Sequence, residues 1–164
     1  MKGFSYRIAT PQDLEQIWDY NIKANADDER WVRWRGEFRH YNESGKCITF
    51  VVLKDNQPVG EITLITSTEC RAVKDKPLLC NGKDIASMNA FRIRKEYEGQ
   101  GHISKLLKVA EEHARSIGIK ALAIGCEARE IRNLAIYLHW GYDEFVMHEI
   151  ADDTLVLYYK KQLR

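Results

Sequence analysis

The glycines Gly99 and Gly101 lie one residue apart, directly before a segment with helical periodicity. The first N–H groups of a helix have no partner inside the helix and carry a partial positive charge, so they can bind phosphate. Glycine leaves room for such a ligand and adopts backbone angles that other residues resist. The spacing therefore indicates either a phosphate-binding helix start or, on a simpler interpretation, only a tight turn.

Two common phosphate-binding motifs do not fit this turn. A P-loop requires Gly-Lys-Ser/Thr after the last glycine, whereas Gly101 is followed by His102. A dinucleotide-binding turn requires a third glycine where this chain has Ser104. Glu127 has the character of the acidic residue that binds a ribose in that fold. However, the chain has one strand-helix-strand unit preceded by a hairpin, and a doubly wound sheet does not fit.

The spacing of cysteine and histidine predicts no metal site and no cysteine nucleophile. The sequence has no C-x-x-C pair and no H-x-x-x-H pair. Cys126 follows an apolar segment without a local histidine and acid, which favours a buried thiol. Cys70 and Cys80 could pair in an oxidising compartment, but reduced thiols suit a cytoplasmic protein. We therefore expect four free cysteines, namely Cys47, Cys70, Cys80 and Cys126.

The composition predicts one globular domain of 164 residues. The apolar fraction is 45%, and 25 basic residues balance 24 acidic ones, which leaves a formal net charge of +1. This balance gives no reason to expect nucleic acid as a partner. No apolar stretch approaches the roughly 20 residues that cross a bilayer, and the first residues lack the apolar part of a signal peptide. We therefore expect a cytoplasmic protein that does not bind a membrane.

The first half of the chain predicts a strand, two helices and a hairpin. Thr10 is placed as the cap of the first helix, with Pro11 at its first position. The second helix carries an aromatic face formed by Trp31, Trp34, Phe38 and Tyr41. Four arginines surround that face, but nearby acidic residues favour a solvated amphipathic helix over a nucleic-acid site. The hydrophobic pattern then changes from a helical to an extended one. Two β-rich segments, CITFVVLK and PVGEITLITS, are joined by DNQ as in a hairpin.

The second half predicts a parallel unit and a final hairpin. Residues Thr68 to Asp84 are polar and indicate a long loop, and Ile85 to Arg94 indicates a strand. The helix after the glycine turn ends at Gly118, and the apolar strand KALAIGC follows it. A short helix ends at Gly141, before a hairpin that turns at ADD. The fold class is therefore a mixed α/β sheet with the order β-α-α-β-β-β-α-β-α-β-β.

The stretch FRIRKEYEGQGHISKLLKVAEEHARSIGIKALAIGCEAREIRNLAIYLHWGY resembles the cofactor-binding half of the GNAT superfamily of acetyl-CoA-dependent N-acetyltransferases. The resemblance is strong from Ile85 to Lys160, whereas over residues 1–66 only the order of the elements agrees. The resemblance implies that residues 1–164 form a single N-acetyltransferase-like domain. It also implies that the strand supplies backbone hydrogen bonds to pantetheine and that the turn holds the pyrophosphate. The cofactor residues that it implies are Phe91, Arg92, Ile93, Gly99, Gln100, Gly101, His102, Ile103, Ser104 and Asn133.

This chain departs from the family pattern at the turn. Glu98 stands in place of the usual Arg or Gln, and Ile103 replaces the last small residue. A solvated carboxylate beside a pyrophosphate would repel it by about 1 kcal/mol. Alternatively, Glu98 interacts with the helix dipole while Lys95 and Lys105 supply positive charge near the phosphates. The sequence leaves both alternatives open.

The resemblance assigns the general acid to Tyr137, which would protonate the departing thiolate. A phenol with a pKa near ~10 is protonated at neutral pH. The competing interpretation is that Tyr137 is only a packed aromatic residue. The strand before the turn has no carboxylate, so Glu61 or Glu127 would have to act as base through water, and a surface carboxylate is the simpler interpretation of each. His102 could contact a phosphate, although a turn histidine is more often merely exposed.

The function that the resemblance implies is direct transfer of an acetyl group from acetyl-CoA to a primary amine. The acceptor would be a small molecule or a peptide, in contact with acidic residues near Asp27, Asp28 and Glu29 and with the loop from Thr68 to Asp84. One alternative is a CoA-binding module without turnover, and another is a nucleotide-binding domain of a different family. The sequence leaves open which amine is the acceptor and whether the chain forms a homodimer.

Overall fold

A computed structural model describes residues 2–164, and its elements follow the predicted order. Within these residues the strands form one mixed sheet with the order β1-β2-β3-β4-β5-β7-β6. The predicted fold class is therefore confirmed. Two short 3-10 turns, Arg71–Val73 and Lys95–Tyr97, interrupt the connections before and after β4. The elements are β1 (Phe4–Ile8), α1 (Pro11–Ala24), α2 (Arg30–Glu43), β2 (Cys47–Lys54), β3 (Gln57–Ile65), β4 (Ile85–Ile93), α3 (His102–Ser116), β5 (Ala121–Glu127), α4 (Ile131–His139), β6 (Glu144–Ala151) and β7 (Thr154–Gln162).

The chain forms two compact units. The first unit contains the residues up to Leu64 together with Ala90–His113, and the second contains Ile65–Asn89 together with Ala114–Arg164. The boundaries fall inside β3, inside β4 and inside α3. The single N-acetyltransferase-like domain over residues 1–164 stays a prediction.

The first unit confirms the local signals of the N-terminal half. The side chain of Thr10 accepts a hydrogen bond from the N–H of Asp13, and the Asp13 carboxylate accepts one from the N–H of Thr10, which completes a capping box. The strands β1 and β2 pair antiparallel, from Phe4↔Lys54 to Ile8↔Phe50. Asp55 and Asn56 both have positive φ angles, 50° and 68°, as a two-residue hairpin turn requires.

The aromatic face of α2 packs inward in this unit. Trp31, Trp34 and Phe38 lie against a buried cluster. The rings of Trp18 and Phe38 stack with their centroids 5.8 Å apart. The helix therefore contributes its aromatic residues to packing, as its periodicity predicts. The buried cluster consists of Ile17, Trp18, Val51 and Leu53.

The second unit is organised by strand pairs on both sides of β5. β4 and β5 pair in parallel from Ile85↔Ala121 to Ser87↔Ala123, and β5 and β7 pair antiparallel. The hairpin of β6 and β7 turns at Asp152 and Asp153, whose φ angles are 49° and 61°. The segment predicted as a long loop buries Cys70, Val73, Leu79 and Cys80, and all four cysteines are free thiols. None of the helices in residues 2–164 is long and apolar enough to cross a membrane.

Candidate active site

The glycine turn has the backbone geometry that the sequence predicts. Gly99 and Gly101 have φ angles of 73° and 84°, in the region that favours glycine. A side-chain carbon added to either glycine would project into open space, so packing alone does not require glycine there. The first α3 ladder bond runs from the Lys105 N–H to the Gly101 carbonyl oxygen (3.1 Å). The N–H groups of residues 102–104 therefore have no acceptor inside the helix.

The charged residues beside the turn point to solvent. Glu98, Lys95 and Lys105 are exposed. Glu98 has extended backbone angles and follows the 3-10 turn Lys95–Tyr97. Because its carboxylate is solvated, its repulsion of an anion at the turn would amount to about 1 kcal/mol.

The imidazole of His102 is buried, and the expectation of an exposed turn histidine is wrong. Only 1% of the residue is accessible. Its ring stacks on Phe4, with the centroids 4.1 Å apart. The ring nitrogens lie 2.8 Å from the Tyr6 hydroxyl and 3.0 Å from Gln100 Oε1. Because both ring nitrogens already have partners, the side chain is not placed to contact a phosphate, and a contact between His102 and the cofactor stays a prediction.

Strand β4 contains a positive φ angle that the sequence did not indicate. Ala90 has a φ angle of 61° inside the strand, where a residue with a Cβ is strained by roughly 1–2 kcal/mol. The local sequence gives no signal for this angle, because Ala favours no turn at that position. Ala90 lies directly before Phe91, Arg92 and Ile93, the residues predicted to contact pantetheine.

The three residues after Ala90 do not all present their N–H groups to the same edge of the strand. The N–H of Arg94 donates to the Val59 carbonyl oxygen of β3 (2.9 Å). Since alternate residues of a strand face opposite edges, the N–H of Arg92 faces β3 as well. The N–H groups of Phe91 and Ile93 then face the other edge, which makes them the better placed of the predicted pantetheine contacts.

Glu61 is a buried member of an ion pair, and its interpretation as a surface carboxylate is wrong. It is 2% exposed, with Oε1 3.1 Å from an Arg92 nitrogen and Oε2 3.1 Å from the Asn21 side-chain nitrogen. The Arg92 guanidinium also lies over the rings of Trp18 and Trp31, at 5.4 and 4.8 Å. The pair thus joins α1, β3 and β4, and both oxygens of Glu61 already accept a hydrogen bond.

Glu127 and Cys126 end strand β5 in the second unit. Glu127 is half-buried, and its carboxylate accepts a hydrogen bond from Arg129 (2.8 Å). Cys126 is 7% exposed, and its Sγ lies 3.4 Å from the Glu127 carbonyl oxygen and 3.6 Å from that of Glu130, either of which can accept its one S–H. Burial raises the pKa of the Cys126 thiol, and the charges of Glu130 and Glu127 raise it further. Cys126 is therefore a buried, protonated thiol, as predicted.

Tyr137 lies half-buried on α4. Burial raises the pKa of Tyr137 to about 12, with smaller contributions from Cys126 and Glu130. Its ring is tilted against that of Trp140, with the centroids 6.0 Å apart. The phenol is therefore protonated at neutral pH and can donate a hydrogen bond. Asn133, one helical turn earlier, is exposed.

The predicted site residues fall into two groups. The residues of β4 and of the glycine turn belong to the first unit, whereas Glu127, Asn133 and Tyr137 belong to the second. Among the acidic residues expected near the acceptor, Asp28 binds the Arg30 side chain in an ion pair of 2.8 Å. The hydrogen bonds that Arg30 donates to the Asp28 carboxylate lower the pKa of Asp28. Part of the negative charge that was predicted to attract an amine acceptor is therefore neutralised by Arg30 of the same chain.

Comparison with solved structures finds the same fold in several acetyltransferases. A putative acetyltransferase from Salmonella typhimurium, solved with its cofactor acetyl-CoA, is 12% identical with a TM-score of 0.70, and the match covers 99% of this chain and 95% of that one. The ribosomal-protein-alanine N-acetyltransferase from Brucella melitensis is 17% identical with a TM-score of 0.70, over 97% and 99% of the two chains. A putative GNAT acetyltransferase from Desulfovibrio desulfuricans reaches a TM-score of 0.77 at 10% identity, over 98% and 99%.

At these identities the likeness concerns the fold. Comparison with curated proteins gives no match. The comparison with family models is more specific, because residues 12–142 match the model of the acetyltransferase (GNAT) family. This match spans most of the chain and includes β4, the glycine turn and α4. The chain therefore belongs to the GNAT family of acetyltransferases.

Proposed function

We propose that this protein is an N-acetyltransferase that moves an acetyl group from acetyl-CoA to a primary amine by direct attack. The observation that carries the proposal is the start of α3. There, two glycines with positive φ precede N–H groups that have no acceptor in the helix. Membership of an acetyltransferase family supports it, as does the neighbour from Salmonella typhimurium with its cofactor acetyl-CoA.

Acetyl-CoA would be held mainly by main-chain groups. The residues from Gly99 to Ser104 would receive the diphosphate, and the open space in front of both glycines fits this role. The N–H groups of Phe91 and Ile93 would bind pantetheine and polarise the thioester carbonyl. Arg92 would instead hold this end of the strand in place through its ion pair with Glu61. Asn133 is proposed as a further contact on the strength of the family pattern alone.

The reaction forms a C–N bond and breaks the C–S bond of the thioester. The neutral amine attacks the carbonyl carbon, and CoA leaves as the thiolate. Tyr137 would donate its proton toward the departing sulfur, and burial keeps this phenol protonated beforehand. Because its pKa exceeds the ~8.5 of an ordinary thiol, Tyr137 would act chiefly through the hydrogen bond that it donates. Glu127 would take the proton that the amine releases, through water, and no acyl-enzyme is formed.

The proposal is tested by calorimetric titration with acetyl-CoA, CoA and NAD, followed by measurement of thiol release with a panel of amines. The panel would contain polyamines, aminoglycosides, free lysine and peptides with N-terminal alanine or serine. The peptides are included because neighbours of this fold are described as acting on ribosomal-protein alanine and on the N-terminal serine of protein L7/L12. Binding of acetyl-CoA with amine-dependent thiol release supports the enzyme.

A second candidate is a CoA-binding module without turnover. The observation in its favour is that β4, with the sequence IASMNAFRI, has no carboxylate to act as base. In the same experiment, acetyl-CoA binding without thiol release from any amine would favour this module. Binding of NAD in preference to acetyl-CoA and CoA would refute both candidates.

A further inference from the structure

His102 connects three parts of the first unit through one chain of hydrogen bonds. The Tyr6 hydroxyl lies 2.8 Å from His102 Nδ1, and His102 Nε2 lies 3.0 Å from Gln100 Oε1. The side-chain nitrogen of Gln100 in turn donates to the Glu96 carbonyl oxygen at 3.5 Å. The chain therefore runs from β1, through the first residue of α3, to the residue between the two glycines.

In the neutral imidazole, the hydrogen bonds place the proton on Nε2. An amide oxygen can only accept, so the Nε2–H of His102 donates to Gln100, and Nδ1 accepts from the Tyr6 hydroxyl. Burial lowers the pKa of His102, and the charge of Lys105 lowers it further. The neutral ring thus satisfies each of its partners with one tautomer.

The position of the ring is determined by packing as well as by hydrogen bonds. Phe4 stacks on one face, and Tyr97 lies edge-on with its ring centroid 6.5 Å away. By contrast, Gln100 and its glycine neighbours are exposed. A glycine on each side gives Gln100 the most flexible backbone surroundings that a chain can offer. The bond to His102 is therefore a fixed anchor for a segment that would otherwise be free to rearrange.

We propose that His102 is a positioning residue for the diphosphate of acetyl-CoA, acting through Gln100. By holding Gln100, it keeps the main-chain N–H groups of the Gly99–Gly101 turn in the orientation that receives the anion. A turn that is ordered in advance loses less conformational entropy when the ligand binds. This inference rests on the proposed function, and it concerns the diphosphate rather than the acetylated arm of the ligand.

The test compares two ligands. Acetyl-CoA carries the diphosphate, and acetyl-pantetheine does not. The variant His102→Leu keeps an apolar side chain in the pocket and removes both hydrogen bonds. We expect it to bind acetyl-CoA about five- to tenfold more weakly, in line with the loss of one or two hydrogen bonds, and to bind acetyl-pantetheine as the wild type does.

His113→Leu is the matched control. It makes the same substitution on the same helix, where the His113 ring packs against Phe50 at 5.5 Å. We expect this variant to keep the wild-type affinity for both ligands. Tyr6→Phe is the milder second variant, because it removes one hydroxyl and retains the ring. It should weaken acetyl-CoA binding about threefold and leave acetyl-pantetheine binding unchanged.

Gln100→Ala shows whether His102 acts through Gln100. If it does, the double variant that combines Gln100→Ala with His102→Leu binds acetyl-CoA no more weakly than whichever single variant has the lower affinity. Losses of affinity that add up in the double variant would contradict the proposal. Equal losses for both ligands, or no loss for either, would also overturn the positioning role. If the wild type itself fails to bind acetyl-CoA, the proposed function fails first, and this inference fails with it.

Discussion

Helices α1 and α3 begin in different ways, although both start in the first unit. At α1, Thr10 and Asp13 bind each other's backbone N–H groups, and Arg7 adds an ion pair to Asp13. At α3, two exposed glycines precede the helix, and the ladder begins only at the N–H of Lys105. The first helix start is closed by the chain's own side chains, whereas at the second the N–H groups of residues 102–104 have no acceptor inside the helix.

The difference separates stability from binding. A capping box satisfies N–H groups that would otherwise lack a partner, and it typically stabilises a protein by about 1 kcal/mol. An uncapped start gives up that contribution and leaves the same groups available to an anion. We therefore expect changes at the start of α1 to affect unfolding, and changes at the start of α3 to affect the binding of acetyl-CoA.

The largest effect is expected for Gly101→Glu. The substitution places a carboxylate where the diphosphate would lie, so the ligand loses charge-assisted hydrogen bonds and meets a like charge. Affinity for acetyl-CoA should fall on the order of a thousandfold, roughly 4 kcal/mol, when measured by calorimetry.

Gly118→Glu is the control for this variant. Gly118 has a φ angle of 89°, and a side chain there also meets open space, but it follows the C-terminal end of α3. Both variants therefore carry a similar backbone strain, and only one places its charge at the helix start. Equal affinities of the two variants for acetyl-CoA would contradict the phosphate-binding role of the turn.

The next largest effect is expected for Tyr137→Phe, which tests whether turnover is separate from the binding at α3. Removing the hydroxyl should lower kcat about a hundredfold, as is typical for the loss of a proton or hydrogen-bond donor to the reacting atoms, with little change in the Kd of acetyl-CoA. Steady-state kinetics and calorimetry measure the two quantities. Tyr159→Phe, which removes a hydroxyl from β7, serves as control and should leave kcat unchanged. An unaltered kcat in Tyr137→Phe would assign the phenol to packing.

Asp13→Asn tests the closed helix start. Although burial favours the neutral acid, hydrogen bonds from Arg7 and Thr10 outweigh it and hold the pKa of Asp13 below its usual value. The carboxylate therefore stabilises the folded state above the unfolded pKa of about 3.9, and this contribution is lost as the pH falls through the lower folded value. The variant should unfold about 1 kcal/mol more easily at pH 7, and the difference should shrink below about pH 4.

Urea denaturation at several pH values measures this difference. The affinity of Asp13→Asn for acetyl-CoA should equal that of the wild type, because α1 does not contribute to the turn. If Asp13→Asn lost affinity for acetyl-CoA but no stability, the start of α1 would act in binding and not in stability, which would contradict the difference drawn between the two helix starts.

The smallest effect is expected for Glu98→Arg. Glu98 is exposed beside the turn, so replacing its charge removes a weak repulsion and adds a weak attraction. Affinity for acetyl-CoA should rise about threefold to tenfold at low salt, and the gain should diminish as salt screens the charges. Glu112→Arg, at an exposed position further along α3, is the control and should change affinity little.

Local signals predicted most of the elements and none of the long-range pairs. The capping box at Thr10, the positive φ angles of Gly99 and Gly101, and the helix end at Gly118 all depend on neighbours within a few residues. The positive φ angle of Ala90 was not predicted, because an alanine gives no local signal for such an angle.

Two side chains show where the prediction fails. Glu61 was expected at the surface, but it is buried against Asn21, 40 residues away, and Arg92, 31 residues away. His102 was expected to be exposed, but its partner Tyr6 lies 96 residues earlier in the chain. A polar residue can be buried only if a partner satisfies it, and the sequence does not show which distant residue will be that partner.

The sequence by itself therefore determined the order of the elements, the cap of α1, the hairpin turns and the glycine turn, because each follows from periodicity or from the backbone angles of nearby residues. Only the tertiary structure decided the roles of Glu61, Arg92 and His102, because their burial and charge depend on partners that folding brings close.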